Sequence, residues 1–423
     1  MSGPVVAPTA PRRRLPMPET RTSRLVGLGV AILAVLALTR LISGQEVLTN
    51  TGTAQAVLAL SLPIGLAGLG GLVSERAGVV NIGLEGMMIL GTWGAGFLGY
   101  QFGAWAALVG AVLGGLLGGA LHAVATVTFG VDHIVSGVAI NLLAAGTARF
   151  LSELLYADVP GGGPTQSPGL KSGPPTFDVP ILASGPDLLG HLEDTQWLLL
   201  SDVAGLLRGV LLEVNVFEIL GILLFPAVGW VLWRTALGLR LRSAGENPWA
   251  AESLGVPVLR MKYLAVLASG ALAGLGGLFL VLFSGVYKEG MTGGRGYIGL
   301  AAMIFGNWRP GGLAGGALLF GYADAVRLRA SDSLAVLALF LFAAVVVIAL
   351  GIWWVTRGRR ITGGVFVGAG VALGLGYLGL HSLPNEVTTV TPYIVTLVVL
   401  AVSSQNLRPP KADGLVYRRG EDR

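Results

Sequence analysis

Cysteine is missing from the chain altogether, which excludes disulfides, thiol nucleophiles and cysteine-ligated metals. Histidine is almost as scarce. His122, His133, His191 and His381 lie far apart and no pair shows ligand spacing, so the sequence offers no metal site. Only four lysines occur, and no G-x-x-x-x-G-K-[ST] pattern accompanies the glycines, so this chain has no P-loop with which to bind and hydrolyse ATP. Charge is thin as well: Asp, Glu, Lys and Arg make up 12% of the residues, against roughly a quarter in an ordinary soluble domain. With 53% of positions hydrophobic, the outer surface must meet lipid. The 66 glycines suit that setting, because helices in lipid associate through close backbone approach at small residues. The net charge of +5 falls in short Arg- and Lys-bearing segments between apolar runs, as orientation signals do, and not on a face for nucleic acid.

A spanning helix needs about 20 mostly apolar residues to cross a core of about 30 Å. Runs of that kind predict an all-α polytopic membrane protein with about twelve transmembrane helices in one membrane domain over 25–406. They are 25–43, 54–73, 79–99, 104–128, 133–152, 216–233, 262–286, 297–308, 311–327, 334–356, 361–380 and 391–406. Residues 1–24, with Arg12, Arg13, Arg14, Arg21 and Arg24, read as a disordered cytoplasmic tail, and 407–423 as a second cytoplasmic tail. The 25–43 run is too long for a signal-peptide core and no A-x-A site closes it, so it reads as an uncleaved first span. Within 297–327 the stretch Gly306-Asn307-Trp308-Arg309-Pro310-Gly311-Gly312 interrupts the apolar pattern, and 297–308 is either a full span or a half-helix. Alternating the spans from a cytoplasmic N-terminus puts Arg234, Arg240, Arg242, Arg260, Lys262, Arg357, Arg359, Arg360, Arg408, Lys411, Arg418 and Arg419 inside, and makes both termini cytoplasmic. Arg327 and Arg329 fall outside as exceptions.

Residues 153–215 form the longest polar insertion and fall on the outer side. The segment opens with Gly161-Gly162-Gly163-Pro164 and is mostly loop, but Trp197, Leu200, Ala204, Leu207 and Leu211 recur at helical spacing. They predict one apolar helical face lying on the membrane or on the protein's own rim. Docking of an outer partner is the alternative role for it.

Three stretches carry candidate chemistry. In residues 74–88, Asn81 and Glu85 are four apart, on one face of the third span. A carboxylate in a membrane helix needs a partner, and Arg76 or a polar residue of a neighbouring helix is expected to supply it. A pair that only locks helices together is the alternative. In residues 235–256, Asn247 suits a helix cap, Pro248 a first turn and Gly255 a helix end, which predicts a helix of about two turns between spans. Its shortness and small residues favour docking of a partner over a solvated loop. Residues 293–308 lead from the outer side into the interrupted region.

Taken together, ERAGVVNIGLEGMM at 75–88, VDHIVSGVAINLLA at 131–144, GGGPTQSPGL at 161–170, RTALGLRLRSAGENPWAAESLGV at 234–256 and GRGYIGLAAMIFGNWRPGG at 294–312 resemble the nucleoside-type permeases of ATP-binding cassette importers. That group is related to the ribose and branched-chain amino acid permeases. The resemblance spreads over most of 54–330 and resumes at Thr391–Leu397. It implies a ten-span core, to which 334–380 adds a helical hairpin. It also implies a multi-pass protein of the cytoplasmic membrane with three partners: an ATPase subunit that binds ATP, a second permease subunit, and an extracytoplasmic lipoprotein that delivers substrate. By the same resemblance, the 234–261 loop carries a coupling helix that enters a groove of the ATPase, with Gly245, Glu246, Asn247, Pro248, Ala251 and Gly255 in it.

The leading reading is therefore a transport subunit, not an enzyme and without a cofactor of its own, that forms a path for nucleosides. Simple sugars or another small polar solute are the variants within the same class. A nucleoside path calls for aromatic faces and neutral hydrogen-bonding groups; the candidates are Asn81, Glu85, Thr92, Trp93, Asn141, Asn307 and Trp308. A secondary transporter driven by an ion gradient would also show interrupted helices and an intramembrane carboxylate, and stays open as the rival. A membrane-embedded enzyme would need converging acids, bases or metal ligands, and the sequence offers no such cluster.

Overall fold

The computed structural model describes residues 21–329, 333–380 and 407–418. The expected span 391–406, most of 1–24 and His381 lie outside the described residues. In chain order the helices are α1 (Arg21–Ser43), α2 (Thr51–Arg76), α3 (Leu84–Phe102), α4 (Ala104–Ala123, continued by a π turn over Val124–Thr128), α5 (His133–Tyr156), α6 (Leu188–Asp194), α7 (Leu200–Leu211), α8 (Val216–Arg234), α9 (Ala236–Glu246), α10 (Pro248–Ser253), α11 (Val258–Ser284), α12 (Arg295–Phe305), α13 (Pro310–Arg329), α14 (Ser333–Thr356) and α15 (Arg360–Gly379). Two short strands, β1 (Thr176–Phe177) and β2 (Val214–Asn215), pair antiparallel inside the long insertion. Seven helical stretches among the described residues are long and apolar enough to cross a membrane.

Polar residues at the helix starts supply the caps that a lipid-facing backbone requires. The Asn50 side chain accepts from Thr53 N at 2.9 Å to start α2, and Asp132 accepts from Ile134 and Val135 N at 2.9 and 3.0 Å to start α5. Helix α2 is the axis of the bundle, with 83% of its apolar window buried. Around it, α3, α4 and α11 close on one another along glycines. A Cβ at Gly274 of α11 would collide with the Ala111 carbonyl of α4, one at Gly110 with the Gly94 carbonyl of α3, and one at Gly91 with Gly274 itself. Such backbone-to-backbone approach is what small residues permit in lipid, where apolar burial alone does not drive helices together.

The third span begins later than its apolar run suggests. Gly78 takes φ +80°, Val79 N turns back to Ser74 O at 3.1 Å, and the chain stays out of helical geometry until Leu84. Asn81 thus lies in the connection and does not share a helical face with Glu85, which corrects the expectation drawn from their spacing. The helix of this stretch is the eleven-residue α12, which begins at Arg295 and ends at Phe305, too short for a full crossing and joined to α13 by a tight turn.

The insertion 153–215 is more ordered than a loop. Asp202 of α7 forms a buried ion pair with Arg40 of α1 at 3.0 Å and accepts from Thr49 Oγ1 at 2.6 Å. Arg208 holds Asp187 at 2.5 Å, and its hydrogen bond keeps that carboxyl below its ordinary range. The expected apolar stripe divides: Trp197 precedes α7, Ala204 is buried, and Leu200 and Leu207 are exposed. Helix α7 turns its small side to the bundle, since Gly205 and Gly209 lie against the Thr49 and Thr51 carbonyls. Helices α14 and α15 form a hairpin whose contact again runs through glycine, with Gly363 against the Gly351 carbonyl.

Replacing Gly274 by Val is expected to reduce the amount of folded protein extracted from membranes several-fold, measured by fluorescence size-exclusion chromatography. Gly376→Val in α15, where no atom lies within 4 Å, is expected to leave it unchanged.

Candidate functional site

Two helices begin inside the bundle and not at its surface. The chain enters it after α2 and starts α3 at Leu84, while the segment after α11 dips inward and starts α12 at Arg295. Each start leaves backbone N–H groups that water cannot reach. Glu85, in the first turn of α3 and 6% exposed, resolves this: its Oε1 accepts from Gly294 N at 2.9 Å and its Oε2 from Gly296 N at 2.7 Å. The approach requires glycine, because a Cβ at Gly296 would fall 2.6 Å from the Glu85 Cα. A carboxylate at a helix N-terminus is also favoured by the helix dipole. The partner of Glu85 is therefore the backbone of α12, and the expectation of Arg76 in that role is not met.

Asn141 of α5 completes the junction. Its Oδ1 accepts from Gly86 N at 2.7 Å, and its Nδ2 donates to Ile82 O at 3.0 Å and Tyr297 Oη at 2.9 Å. Asn81, fully buried, donates to Ser269 Oγ at 2.8 Å and joins α11 to the α2–α3 connection. Thr92 lines a cavity of about 170 Å³ with Ala145, Ala148, Tyr287, Lys288, Glu289 and Thr292. Trp93 stacks on Phe97 at 5.1 Å and Tyr156 at 5.9 Å, and its Nε1 donates to Ser152 Oγ at 3.2 Å. Asn81, Glu85 and Asn141 thus meet at the start of α3, and Thr92 and Trp93 stand about two turns farther along the same helix.

Asn307 and Trp308 are not among them. They occupy the α12–α13 turn with φ of 55° and 52°, two successive left-handed residues without glycine. The strain of that backbone, on the order of 1–3 kcal/mol each, is held by side chains. Trp308 Nε1 donates to Glu75 Oε2 at 2.6 Å and Arg76 Nη2 to the Trp308 carbonyl at 2.7 Å, with the Arg76 guanidinium also 5.4 Å from the Trp233 ring.

Among the coupling candidates, the Asn247 side chain caps α10 by accepting from Ala250 N at 3.0 Å, Pro248 stands in its first turn, and Gly255 takes φ +81° after its end. Gly245, Pro248 and Ala251 face inward and seat the helix, whereas Glu246, Asn247, Ser253 and Gly255 are exposed. Leu254, 84% exposed, was not singled out by spacing and is the most prominent apolar residue of that surface.

Two further features escaped the sequence reading. Arg149, within the apolar helix α5, is half-exposed and pairs with Glu153 at 2.7 Å and Glu289 at 2.5 Å. Charges that leave an apolar helix sideways mark a water-filled or protein-covered face. The signal was present as Arg149 and Glu153 in a run otherwise free of charge. Arg295 is bound to Asp324 of α13, which Arg327 also holds at 2.7 Å, so the outlying Arg327 is locally compensated.

Such a bundle, with interrupted helices meeting at a buried polar junction and charges on one lateral face, is the architecture of a polytopic membrane permease. The chain belongs to the family described as the branched-chain amino acid transport system permease component, whose model matches residues 53–350. It is a multi-pass protein of the plasma membrane. It is 32% identical over 374 residues to the guanosine ABC transporter permease protein NupQ of Bacillus subtilis, covering 86% of this chain and 96% of that protein. It is likewise 32% identical over 370 residues to the nucleoside ABC transporter permease protein NupC of Lactococcus lactis, covering 85% and 95%. A putative glucose ABC transporter permease protein of Haloferax volcanii, TsgC13, is 35% identical over 269 residues, covering 63% and 74%. No solved structure matches the chain.

Glu85→Ala is expected to lower thermal stability in detergent, with a loss of about 2 kcal/mol for the two uncapped N–H groups. Glu85→Gln, which keeps one acceptor, should fall between it and the wild type. A wild-type melting temperature for Glu85→Ala would show that the carboxylate does not hold α12.

Proposed function

We propose that the chain is one permease subunit of an ATP-binding cassette importer for nucleosides, and that α10 is the helix through which a separate ATPase subunit drives it. The observation that carries the coupling reading is the form of α10: a short helix capped by Asn247, seated on Gly245, Pro248 and Ala251, and presenting Leu254 and Glu246 outward. A leucine 84% exposed at the end of a short capped helix fits a protein groove with an apolar floor.

The places where the helices end support one orientation. Arg234, Arg240, Arg242 and Arg260 gather at the α10 end, and α14 starts beside Leu48 at the opposite end and runs back, bringing Arg357, Arg359 and Arg360 to the same side. That supports a cytoplasmic α10, cytoplasmic termini and about twelve spans, with 391–406 as the last. The insertion 153–215 then faces outward, where a substrate-binding lipoprotein would deliver its load. A second permease subunit would cover the lateral face that carries Arg149 and Glu289, closing the path over Thr92, Asn141 and the half-exposed Tyr297.

Nucleosides are favoured over amino acids by the junction itself. Helix starts inside a membrane bundle commonly hold an anionic substrate group, but here Glu85 already takes the N–H groups of Gly294 and Gly296. A carboxylate substrate would meet like charge, whereas a neutral solute with hydroxyls and an aromatic base would meet Tyr297, Asn141 and Thr92 without penalty. The permeases for guanosine and for nucleosides that resemble this chain over most of its length support the same choice. Simple sugars are the second reading, on the resemblance to the putative glucose permease.

Leu254→Asp is expected to reduce the ATPase subunit that co-purifies with the chain by about tenfold, as for loss of an interface anchor, and labelled-nucleoside uptake should fall in parallel. Full ATPase recovery together with normal uptake would remove α10 from the coupling role.

A further inference from the structure

The segment 407–418 does not hang free but crosses the α10 end of the bundle and is tied at every step. Arg408 N donates to Asn307 Oδ1 at 2.8 Å, at the strained α12–α13 turn. Ala412, 3% exposed, donates its N–H to the Gly245 carbonyl at 2.9 Å, the last turn of α9 before α10. The Tyr417 hydroxyl donates to Glu252 Oε2, and its ring meets Trp249 edge-on at 5.9 Å, so α10 is gripped on its own side chains. Val416 and Arg418 continue to Gly130 in the α4–α5 turn.

Between these ties Asp413 reaches Glu75 at the end of α2, with Lys262 of α11 and Arg76 of α2 as the nearby cations. Burial, the largest cause, pushes the Asp413 carboxyl up to about 7, while its hydrogen bond to Glu75 and the charge of Lys262 oppose the rise. Ala412 also lies against Gly78 and Gly414 against Val80, so the segment is seated on the turn that follows α2. Glu75 in turn accepts from Trp308, so the Glu75–Asp413 contact sits where α2, the α12–α13 turn and the C-terminal segment meet.

We propose that residues 407–418 are the second arm of the coupling unit: they move with α10 as one body and relay its displacement to α2 and the α12–α13 turn through the Asp413–Glu75 contact. The proposal rests on the reading of α10 as the ATPase-driven helix. Helix α10, six residues bounded by Asn247 and Gly255, is seated on its own neighbours through the buried Pro248 and Ala251. The arm adds contact at two points farther off, Glu75 and Asn307.

Two measurements on the reconstituted importer test it. First, Asp413→Ala should leave ATPase co-purification at the wild-type level but raise the ATP hydrolysed per nucleoside imported roughly tenfold, while Asp413→Asn, which keeps the shape and a hydrogen bond to Glu75, stays within about twofold. An unchanged ratio in Asp413→Ala overturns the relay. Second, the absence of native cysteine allows Ser253→Cys and Val416→Cys, exposed neighbours of Glu252 and Tyr417, to be bridged by a short reducible bis-maleimide linker. Uptake within about twofold of the unbridged double variant supports movement as one body. Loss of uptake that returns when the linker is reduced overturns it, because the arm would then have to release α10 in each cycle. Failure of the α10 reading shows separately, as ATPase binding that Leu254→Asp does not disturb.

Discussion

A helix that begins inside a membrane protein must find acceptors for its first N–H groups, and for α12 that acceptor is Glu85. The carboxylate reaches from the first turn of α3 to Gly294 and Gly296, so the two interior helix starts stabilise each other. Asn141 adds α5, and Asn81 adds α11 through Ser269. Without that junction the first N–H groups of α12 lose their acceptor, and α12 is left to its packing on α2 and to the bond between Arg295 and Asp324. The cost of unsatisfied backbone groups in lipid makes this the constraint on which the interior depends.

The glycine contacts and the junction act at different levels. Close approach of α3, α4 and α11 at Gly91, Gly94, Gly110 and Gly274 builds a rigid wall. Against it stand the elements with fewer packed neighbours: α5, with a charged lateral face, and α10 with its C-terminal arm. Function as a transporter requires such a division, because a path must open while the scaffold that defines it stays fixed. The polar junction also sets the electrostatics of the path. The helix starts are neutralised from within, and the charges near the Thr92 cavity are those of Lys288 and Glu289.

Much of the helical layout was legible in the sequence because hydropathy alone determines it: the runs 104–128, 216–233 and 334–356 coincide closely with helical stretches. The start of α3 was not, since Val79, Val80 and Ile82 are as apolar in a connection as in a helix, and only the backbone turn at Gly78 distinguishes the two. The partner of Glu85 was hidden for a different reason. Backbone N–H groups carry no residue signature, and Gly294 lies 209 positions away. Asn247, Pro248 and Gly255 were readable as a capped helix because capping chemistry is local. Leu254 was not, as nothing in a sequence tells an exposed leucine from a buried one. The ordered arm 407–418 was read as a plain tail, since its polar composition gives no hint that Asp413 finds neighbours on α2 and α11 and Tyr417 on α10.

The central claim is that this chain shapes a path whose motion is powered by a partner's ATP hydrolysis. The most direct measurement is uptake of labelled nucleoside into proteoliposomes that hold the chain with its ATPase, second permease and binding protein, with ATP supplied on the α10 side or with an imposed ion gradient instead. The account predicts accumulation with ATP and none with the gradient alone. Accumulation driven by the gradient, by this chain without the ATPase, would contradict it.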